Sequence, residues 1–268
     1  MNVIEVNELS VWDEKTGQTL VHHSSFQVKA GSCLAIVGES GSGKSVTCRA
    51  IMKLNPSSLR QSGDIYFKGE NLSSLPEKEM RKKRGRQMGM IVQNGMSAFN
   101  PSCVVGVHLH ETLSEHVHWS KQERNEALCE AMERVMLKDP MTIMNTYPHQ
   151  LSGGMLQRIM IALALVLKPD LVIADEPTTA LDTVSQFEVV EQFRELREQV
   201  GCAILFVSHD LGVVKKIADD VVVMKDGHIV EQGPTQAVFS NPTHDYTNYL
   251  VSTRLALSNH FNKVMGRA

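Results

Sequence analysis

The strongest constraint in this chain of 268 residues is a glycine-rich loop between an apolar strand and a helix. The sequence CLAIV at residues 33–37 predicts a buried strand, and GESGSGKS follows it at residues 38–45. Each glycine loses backbone entropy when it becomes ordered, so a packed strand gains nothing from the glycines here. We therefore expect a bound ligand to order this loop.

The loop, called the phosphate loop below, has the spacing G-x-x-x-x-G-K-[ST], in which backbone N–H groups surround a phosphate. In this pattern Lys44 contacts the terminal phosphates and Ser45 ligates magnesium. Residues 46–52 predict a helix, whose N-terminal amides and dipole favour the same anion. The predicted ligand is a nucleoside triphosphate with Mg²⁺, and the alternative is an ordinary Gly/Ser turn.

The composition excludes several other classes of protein. The formal net charge of -3 does not favour nucleic acid or an anionic membrane surface as a partner. No apolar run approaches eighteen residues, and MNVIEVNELS does not resemble a signal peptide, so we expect a soluble cytoplasmic chain. The five cysteines form no C-x-x-C pair, which predicts buried free thiols rather than a zinc site or disulfides.

The order of predicted strands and helices indicates an α/β fold. Residues 4–11, 19–28 and 63–67 read as antiparallel strands, whereas residues 99–150 look helical throughout and include an amphipathic helix over 120–137. A helix over 153–167 then precedes the strand 171–174. A second helix, with Val189, Phe193, Leu196 and Val200 on one face, precedes the strand 202–207. Apolar strands that alternate with helices predict a parallel sheet covered on both faces.

Two further segments carry candidate chemistry. Asp175 and Glu176 directly follow the strand 171–174, at the carboxyl end where open α/β sheets bind ligands. At this position Asp175 suits magnesium binding, and Glu176 suits the activation of a water molecule. The alternative is a solvated strand end. The second segment, LSGGM at residues 151–155, has a helix cap at Ser152 and two glycines that expose N–H groups to an anion. Since one nucleotide occupies only one loop, the second anion site would serve a neighbouring molecule.

Together these motifs resemble the ATPase subunits of ABC transporters. GESGSGKS, Gln93 in IVQNGMSAFNP, LSGGM, LVIADEP, Ala180-Leu181-Asp182 and Ser208-His209-Asp210 occur in that family's order, and the motifs span residues 12–232. The resemblance implies an α/β P-loop NTPase core with a parallel sheet, an antiparallel β-subdomain and an inserted α-helical subdomain. The implied domains are the core with the β-subdomain (1–98 and 155–240), the helical subdomain ending in the signature motif (99–154) and a short C-terminal tail (241–268).

The resemblance also implies a role for each motif residue. The residues implied to bind ATP are Trp12, Gly38, Glu39, Ser40, Gly41, Ser42, Gly43, Lys44, Ser45 and Val46. The signature residues implied to contact the partner's ATP are Leu151, Ser152, Gly153, Gly154 and Gln157. The implied catalytic residues are Glu176 as base, His209 at the γ-phosphate and Gln93. The implied magnesium ligands are Ser45, Gln93 and Asp175. The implied D-loop residue is Asp182. A core tryptophan remains the alternative for Trp12, and an ordinary histidine remains the alternative for His209.

In the family two ATPase domains enclose two ATP molecules, so hydrolysis would be gated by dimerisation. The implied partners are a related ABC ATPase, in a heterodimer rather than a homodimer, two membrane permease subunits and, indirectly, an external solute-binding protein, with no nucleic acid. Gln93 would link magnesium to the permease. The implied location is peripheral, on the cytoplasmic face of the bacterial inner membrane.

Within the family the chain resembles the oligopeptide, dipeptide and nickel importers, through MSAFNP, LSGGMLQR, IADEPTTALD and VSHDLGVVKKIADDVVVM. The sequence ends at Ala268 and has no cysteine after Cys202, which resembles the nickel and metallophore importers more than the peptide importers. We therefore expect uptake of nickel, free or chelated. The alternatives are a di- or oligopeptide importer, a soluble ABC ATPase without a transport role, and a small-molecule kinase.

Two polar segments are not part of this scheme. The first holds His108, His110, His116 and His118; because histidines two residues apart do not share a helical face, we expect a solvated polar patch and not a metal site. The second is the basic run RKKRGR at residues 81–86, expected to be a solvated face, with contact to a partner or acidic lipid as the alternative.

Overall fold

The computed structural model describes residues 1–179 and 181–253. The motif residue Ala180 and the tail residues 254–268 lie outside the described residues. The chain divides into two compact units. The first combines Met1–Pro76 with the chain from Ile204 onward, and the second is Glu77–Ala203. The elements below are numbered along the chain.

The strands are β1 (Asn2–Asp13), β2 (Thr19–Lys29), β3 (Cys33–Val37), β4 (Leu59–Phe67), β5 (Glu70–Asn71), β6 (Met88–Ile91), β7 (Leu171–Asp175), β8 (Ala203–Val207), β9 (Asp220–Lys225) and β10 (His228–Pro234). The helices are α1 (Lys44–Ile51), α2 (Glu77–Lys83), α3 (Val105–His116), α4 (Lys121–Arg134), α5 (Pro140–Met144), α6 (Gly153–Leu167), α7 (Thr183–Val200), α8 (Leu211–Ile217) and α9 (Thr235–Ser240). Short 3₁₀ turns occupy Gly95–Ala98 and Pro148–Gln150.

The first unit contains two groups of strands. An antiparallel sheet in the order β2-β1-β4-β5 confirms the three strands predicted near the N-terminus. The other group surrounds β3, which pairs in parallel with β8 on one side and β9 on the other, and β10 joins β9 in antiparallel orientation. Every residue of β3 and β8 is buried, which explains why both strands are apolar throughout.

The second unit contains the predicted helical region and a parallel pair of strands, β6 and β7. Helix α6 has the predicted bounds, and Ser152 caps it. Helix α4 begins with the Ser120–Glu123 capping box but ends at Arg134, three residues before the predicted end. The predicted helix is too long because Met136, two residues past the end of α4, adopts a φ of 60°, which a right-handed helix does not allow. In α7, Val189, Phe193 and Leu196 are buried and Val200 is partly buried.

All five cysteines are free thiols; Cys33, Cys48 and Cys202 are buried as predicted, and Cys103 and Cys129 are partly exposed. Burial raises the pKa of Cys202 to about 11, which keeps its thiol protonated.

The chain after α9 is anchored to the first unit by the carboxylate of Glu231. One oxygen accepts hydrogen bonds from the Thr243 N–H and hydroxyl, both at 2.8 Å, and the other accepts from the His244 N–H at 3.1 Å. The following segment, helical over residues 245–253, packs Tyr246, Leu250 and Val251 into the apolar cluster that also holds residues of β3 and β9. One carboxylate therefore fixes the position at which this segment joins the core.

Replacing this carboxylate is expected to change the pH dependence of stability. Burial raises the pKa of Glu231, but the hydrogen bonds from Thr243 and the His244 amide outweigh burial, so the folded pKa lies below the ordinary value of 4.5. The stabilisation is therefore complete above about pH 4.5 and is lost as pH falls through the folded pKa. We expect Glu231→Gln to lower the free energy of unfolding at pH 7 by about 1 kcal/mol.

Urea unfolding between pH 3 and pH 7 measures this effect. The parent should lose stability more steeply with falling pH than Glu231→Gln does. The matched control is Glu198→Gln, which changes an exposed carboxylate in the same way. Parallel pH profiles for the parent and Glu231→Gln would contradict the anchoring role.

Candidate functional site

The phosphate loop follows β3 and leads into α1, and two of its glycines admit no side chain. A Cβ at Gly38 would lie 2.2 Å from the Met224 carbonyl oxygen. Gly43, the N-cap of α1, has a φ of +98°, and a Cβ there would lie 2.8 Å from the Leu20 carbonyl oxygen. Both positions therefore require glycine because backbone atoms of neighbouring strands approach the loop closely.

The interior of the loop presents groups that suit an anion. Lys44 is only 6 % exposed, and its Nζ donates to the carbonyl oxygens of Gly38 and Glu39 at 2.9 and 2.8 Å. The buried hydroxyl of Ser42 has no hydrogen-bond partner within the described residues. A buried cation, an unpartnered hydroxyl and the N-terminus of α1 together fit the phosphate groups of a nucleotide.

Two contacts hold the loop from outside. The Gly227 N–H, in the turn between β9 and β10, donates to the Ser42 carbonyl oxygen at 3.2 Å. The Glu39 N–H donates to the hydroxyl oxygen of Tyr246 at 3.0 Å, and Tyr246 is 6 % exposed. Sequence reasoning did not identify the second contact, because the two residues are 207 positions apart.

His209 lies at the same edge of the sheet as the phosphate loop. It follows β8, which is the parallel neighbour of β3 with Val207 opposite Ile36. The Ser208 N–H donates to the Ile36 carbonyl oxygen at 3.2 Å, which extends this pairing to the residue before His209. His209 is partly exposed, and Asp210 caps α8 immediately after it. The contact of His209 with a γ-phosphate stays a prediction.

Trp12 lies in β1, opposite Thr19 of β2 and Arg60 of β4. Its side chain is partly exposed and is not among the buried core residues, so the alternative of a core tryptophan is wrong. The neighbouring residues of β2, Leu20 and Val21, contact the phosphate loop at Gly43. A role for Trp12 in stacking on adenine stays a prediction.

In the second unit, the acidic pair and Gln93 follow the two parallel strands. Ile91 of β6 lies opposite Ala174 of β7, so Gln93 and Asp175 occupy the same edge of this pair. Asp175 is 3 % exposed and Glu176 is 8 % exposed, so the alternative of a solvated strand end is wrong.

Glu176 is held in an unusual backbone conformation. Its φ is +51°, in the left-handed region that residues with a Cβ rarely adopt. The Thr179 hydroxyl donates to Glu176 Oε2 at 2.7 Å and orients the carboxylate. Such strain persists where the surrounding structure enforces it, as at functional sites.

The signature segment exposes the start of α6. The Ser152 hydroxyl oxygen accepts from the Met155 N–H at 3.2 Å, and Ser152 and Gly153 are both exposed. A Cβ at Gly153 would meet nothing within 4 Å, whereas one at Gly154 would lie 3.2 Å from Leu181 Cδ2. The N–H groups of a helix of 15 residues are thus accessible to an anion from outside the chain.

A cavity of about 230 Å³ in the second unit adjoins this segment, and Gln93, Gly95, Gly153 and Gln157 line it. Gln157 is 3 % exposed, and its Nε2 has no hydrogen-bond partner within the described residues. A Cβ at Gly95 would lie 2.9 Å from Leu156 Cβ, so the turn after Gln93 packs directly on α6. Gln93 is exposed and lies two residues before this contact with the signature helix.

Asp182 is exposed before α7, and its two carboxylate oxygens accept from the Ser185 N–H and hydroxyl at 3.0 and 2.7 Å. The structure thus divides the predicted site residues between its units. The first unit holds Trp12, the phosphate loop through Val46, and His209. The second holds Gln93, Leu151, Ser152, Gly153, Gly154, Gln157, Asp175, Glu176 and Asp182.

The histidine segment is less solvated than predicted. The Asn100 N–H donates to His108 Nε2 at 3.0 Å, and the His108 ring packs edge-on against Phe99. His110 and His116 are partly buried on α3, and burial lowers the pKa of each. Only His118 is exposed. The prediction of a solvated patch is wrong for the other three because α3 packs its polar side chains against neighbouring segments.

The basic run lies on α2 and the residues after it. Arg81, Lys82 and Arg86 are exposed as predicted, whereas Arg84 is partly buried and forms an ion pair with Glu77. Within residues 1–179 and 181–253, no cluster of three or more His, Cys, Asp or Glu side chains is arranged to hold a metal ion. No helix in that part of the chain combines the length and apolar character needed to cross a membrane.

Comparison with known proteins identifies relatives over the whole length of the chain. The ABC transporter family profile matches residues 21–179. The metal-staphylopine import system ATP-binding protein CntD of Staphylococcus aureus (strain NCTC 8325 / PS 47) is 48% identical over 265 residues, which cover 99% of this chain and 98% of that protein. The oligopeptide transport ATP-binding protein OppD of Bacillus subtilis (strain 168) is 43% identical over 249 residues, covering 91% of this chain and 70% of that protein.

Among solved structures, the ATP-binding cassette MJ0796 superposes with a TM-score of 0.77 at 26% identity, covering 87% of this chain and 98% of that one. That protein was solved as a dimer in a post-hydrolysis state bound to ADP and phosphate.

Proposed function

Because this chain belongs to the ABC transporter family and is an ATP-hydrolysing importer subunit, we propose that it powers the uptake of nickel or a metal–metallophore complex through a membrane permease. The observation that carries the choice of cargo is the 48% identity to CntD, which extends over nearly the full length of both proteins. A di- or oligopeptide cargo is the second candidate, favoured by the 43% identity to OppD. The importer relatives do not support a kinase or an ABC ATPase without a transport role.

The described residues fit ATP and magnesium. The loop forms an anion-binding site at the N-terminus of α1. Gly38 and Gly43 have no side chains to obstruct it, Lys44 is buried there, and the Ser42 hydroxyl has no partner within the described residues. We assign phosphate binding to residues 38–46 and adenine stacking to Trp12. Ser45, Gln93 and Asp175 supply the hydroxyl, amide and carboxylate oxygens that Mg²⁺ prefers. Bound Mg²⁺ supplies positive charge that offsets the charge developing on the terminal phosphate.

The proposed catalytic residues each perform one step. Glu176 accepts the proton of the attacking water, and the Thr179 hydroxyl keeps its carboxylate aligned for that role. His209 donates a hydrogen bond to the γ-phosphate and holds it in position. Lys44 exchanges its bonds to the loop carbonyls for phosphate oxygens. Asp175 would support the metal.

We propose that hydrolysis requires a second ATPase subunit. Residues 151–154 and Gln157 form a second anion site that presents an exposed helix N-terminus outward, where it would contact ATP held by the partner subunit. Asp182 lies exposed beside it. The dimeric state of the related MJ0796 cassette supports this arrangement. We propose a related ATPase as the partner, in a heterodimer rather than a homodimer.

The proposed location is the cytoplasmic face of the bacterial inner membrane, on two permease subunits that receive cargo from an external solute-binding protein. Gln93 would connect the permease to the metal because the adjoining turn packs on α6 through Gly95. Closure of the two ATPases would then be transmitted to the permease.

An uptake assay in cells that express the complete transporter tests the cargo. The probes are radiolabelled nickel alone, nickel premixed with staphylopine, and labelled trialanine. We expect parent cells to accumulate nickel, alone or premixed, at least about tenfold faster than cells carrying Lys44→Ala, whose phosphate contact is lost. If the cells take up trialanine but not nickel, the cargo is a peptide and not a metal. If no probe is taken up faster than in Lys44→Ala cells, both cargo proposals are contradicted.

A further inference from the structure

We propose that Tyr246 is a positioning residue for nucleotide binding, whose hydroxyl fixes the Glu39 peptide and thereby increases the affinity of the phosphate loop for ATP and ADP. This inference rests on the proposed ATP site. It assigns to the segment after α9 a direct part in that site.

The contact is specific and comes from a buried group. The Glu39 N–H donates to the Tyr246 hydroxyl oxygen at 3.0 Å. Glu39, Ser40 and Gly41 are all exposed, so this part of the loop has few other constraints from packing. A single hydrogen bond from a buried side chain can therefore restrict its conformation.

Tyr246 is itself rigidly placed. It belongs to the apolar cluster of the first unit that also holds Val37 and Val223, and Lys225 Nζ lies 5.1 Å from the ring centroid. The Tyr246 N–H donates to His244 Nδ1 at 3.1 Å, and the His244 N–H donates to Glu231. The hydroxyl is therefore held by the core and not by the loop that it contacts.

The same peptide group connects Tyr246 to the lysine of the loop. The Glu39 N–H donates to the Tyr246 hydroxyl oxygen, whereas the other end of that peptide group, the Gly38 carbonyl oxygen, accepts from Lys44 Nζ at 2.9 Å. Fixing this peptide group keeps the loop near one conformation before the nucleotide arrives. Pre-organisation reduces the entropy lost on binding, so removal of the hydroxyl should weaken binding.

The effect should appear in affinity and not in the chemical step. An interaction that contributes equally in the ground state and the transition state changes KM while kcat stays constant. Losing one net hydrogen bond corresponds to about 3- to 10-fold in affinity. Because ATP and ADP both occupy the loop with their β-phosphate, both should be weakened to a similar degree.

The test compares Tyr246→Phe, which keeps the ring and loses only the hydroxyl, with Tyr249→Phe, which removes a hydroxyl from a tyrosine that is 55% exposed in the same segment. Calorimetric titration of the full chain with magnesium ATP and magnesium ADP measures Kd. We expect a 3- to 10-fold increase in both Kd values for Tyr246→Phe alone. For ATP hydrolysis by the complete transporter we expect about the same increase in KM with unchanged kcat, and the Tm of the chain should be unchanged. Hydrogen exchange of the Glu39 amide should be slow in the parent and Tyr249→Phe, and faster in Tyr246→Phe.

The outcomes separate this inference from the proposed function. If the parent binds ATP and Tyr246→Phe binds it with the same Kd, the inference is overturned and the proposed ATP site stands. A parent chain that binds no ATP removes the proposed function together with its premise. If Tyr246→Phe does not fold, the Glu39 amide of the parent decides the question, because its rapid exchange would show that Tyr246 does not hold the loop.

Discussion

Glu176→Gln is expected to reduce ATP turnover by about 100- to 1000-fold while ATP binding is retained. The amide that replaces the carboxylate keeps an oxygen to accept the Thr179 hydroxyl, so the local structure should persist. It cannot, however, accept a proton from water. Bound ATP would remain intact, and closed dimers would accumulate because their dissociation depends on hydrolysis.

Steady-state phosphate release by the complete transporter measures the loss of turnover, and sedimentation of the chain together with its partner ATPase in magnesium ATP measures the dimers. The matched control is Glu126→Gln, an exposed carboxylate of the second unit that also accepts one side-chain hydrogen bond, from Gln122 at 2.9 Å. The control should hydrolyse ATP at the parental rate. A Glu176→Gln variant with parental turnover would assign the role of base to another residue.

Gly43→Ala is expected to weaken ATP binding by more than about 100-fold, because the left-handed conformation and the backbone contact each oppose a side chain. The added methyl would lie 2.8 Å from the Leu20 carbonyl oxygen at a φ of +98°. To relieve this contact, either the loop or β2 must move. A displaced loop no longer directs the N-terminus of α1 and Lys44 toward the phosphates.

Calorimetric titration with magnesium ATP tests this second result, and circular dichroism verifies the fold. Gly69→Ala is the control, since Gly69 has a similar φ of +84° but a Cβ there meets nothing within 4 Å. The control carries the conformational strain without a contact to the loop, and it should bind ATP like the parent. Equal affinities for the parent and Gly43→Ala would show that the close approach at Leu20 is not required.

These two variants distinguish the formation of the site from its chemistry. Gly43→Ala removes binding and therefore turnover, whereas Glu176→Gln removes turnover alone. Both effects should also exceed that of Tyr246→Phe, because Tyr246 acts on the loop from outside and has no contact with the reacting atoms in the proposed mechanism.

The sequence by itself determined the features that depend on neighbouring residues. The strand at residues 33–37, the phosphate loop after it and the helix over 153–167 were predicted with correct or nearly correct bounds. Burial on both faces of a strand demands a continuous apolar run, and a helix start needs a cap such as Ser152. Each of these sequence patterns is contained in a short stretch of neighbouring residues, and together the motifs were enough to identify the family.

Only the tertiary structure decided the features that depend on distant residues. It buried Asp175 and Glu176 and placed three of the four histidines against neighbouring segments. It also placed the Tyr246 hydroxyl on the Glu39 amide, a contact across 207 positions. The physical reason is that burial and long-range hydrogen bonds depend on how helices and strands pack together. The spacing of residues along the chain does not specify that packing.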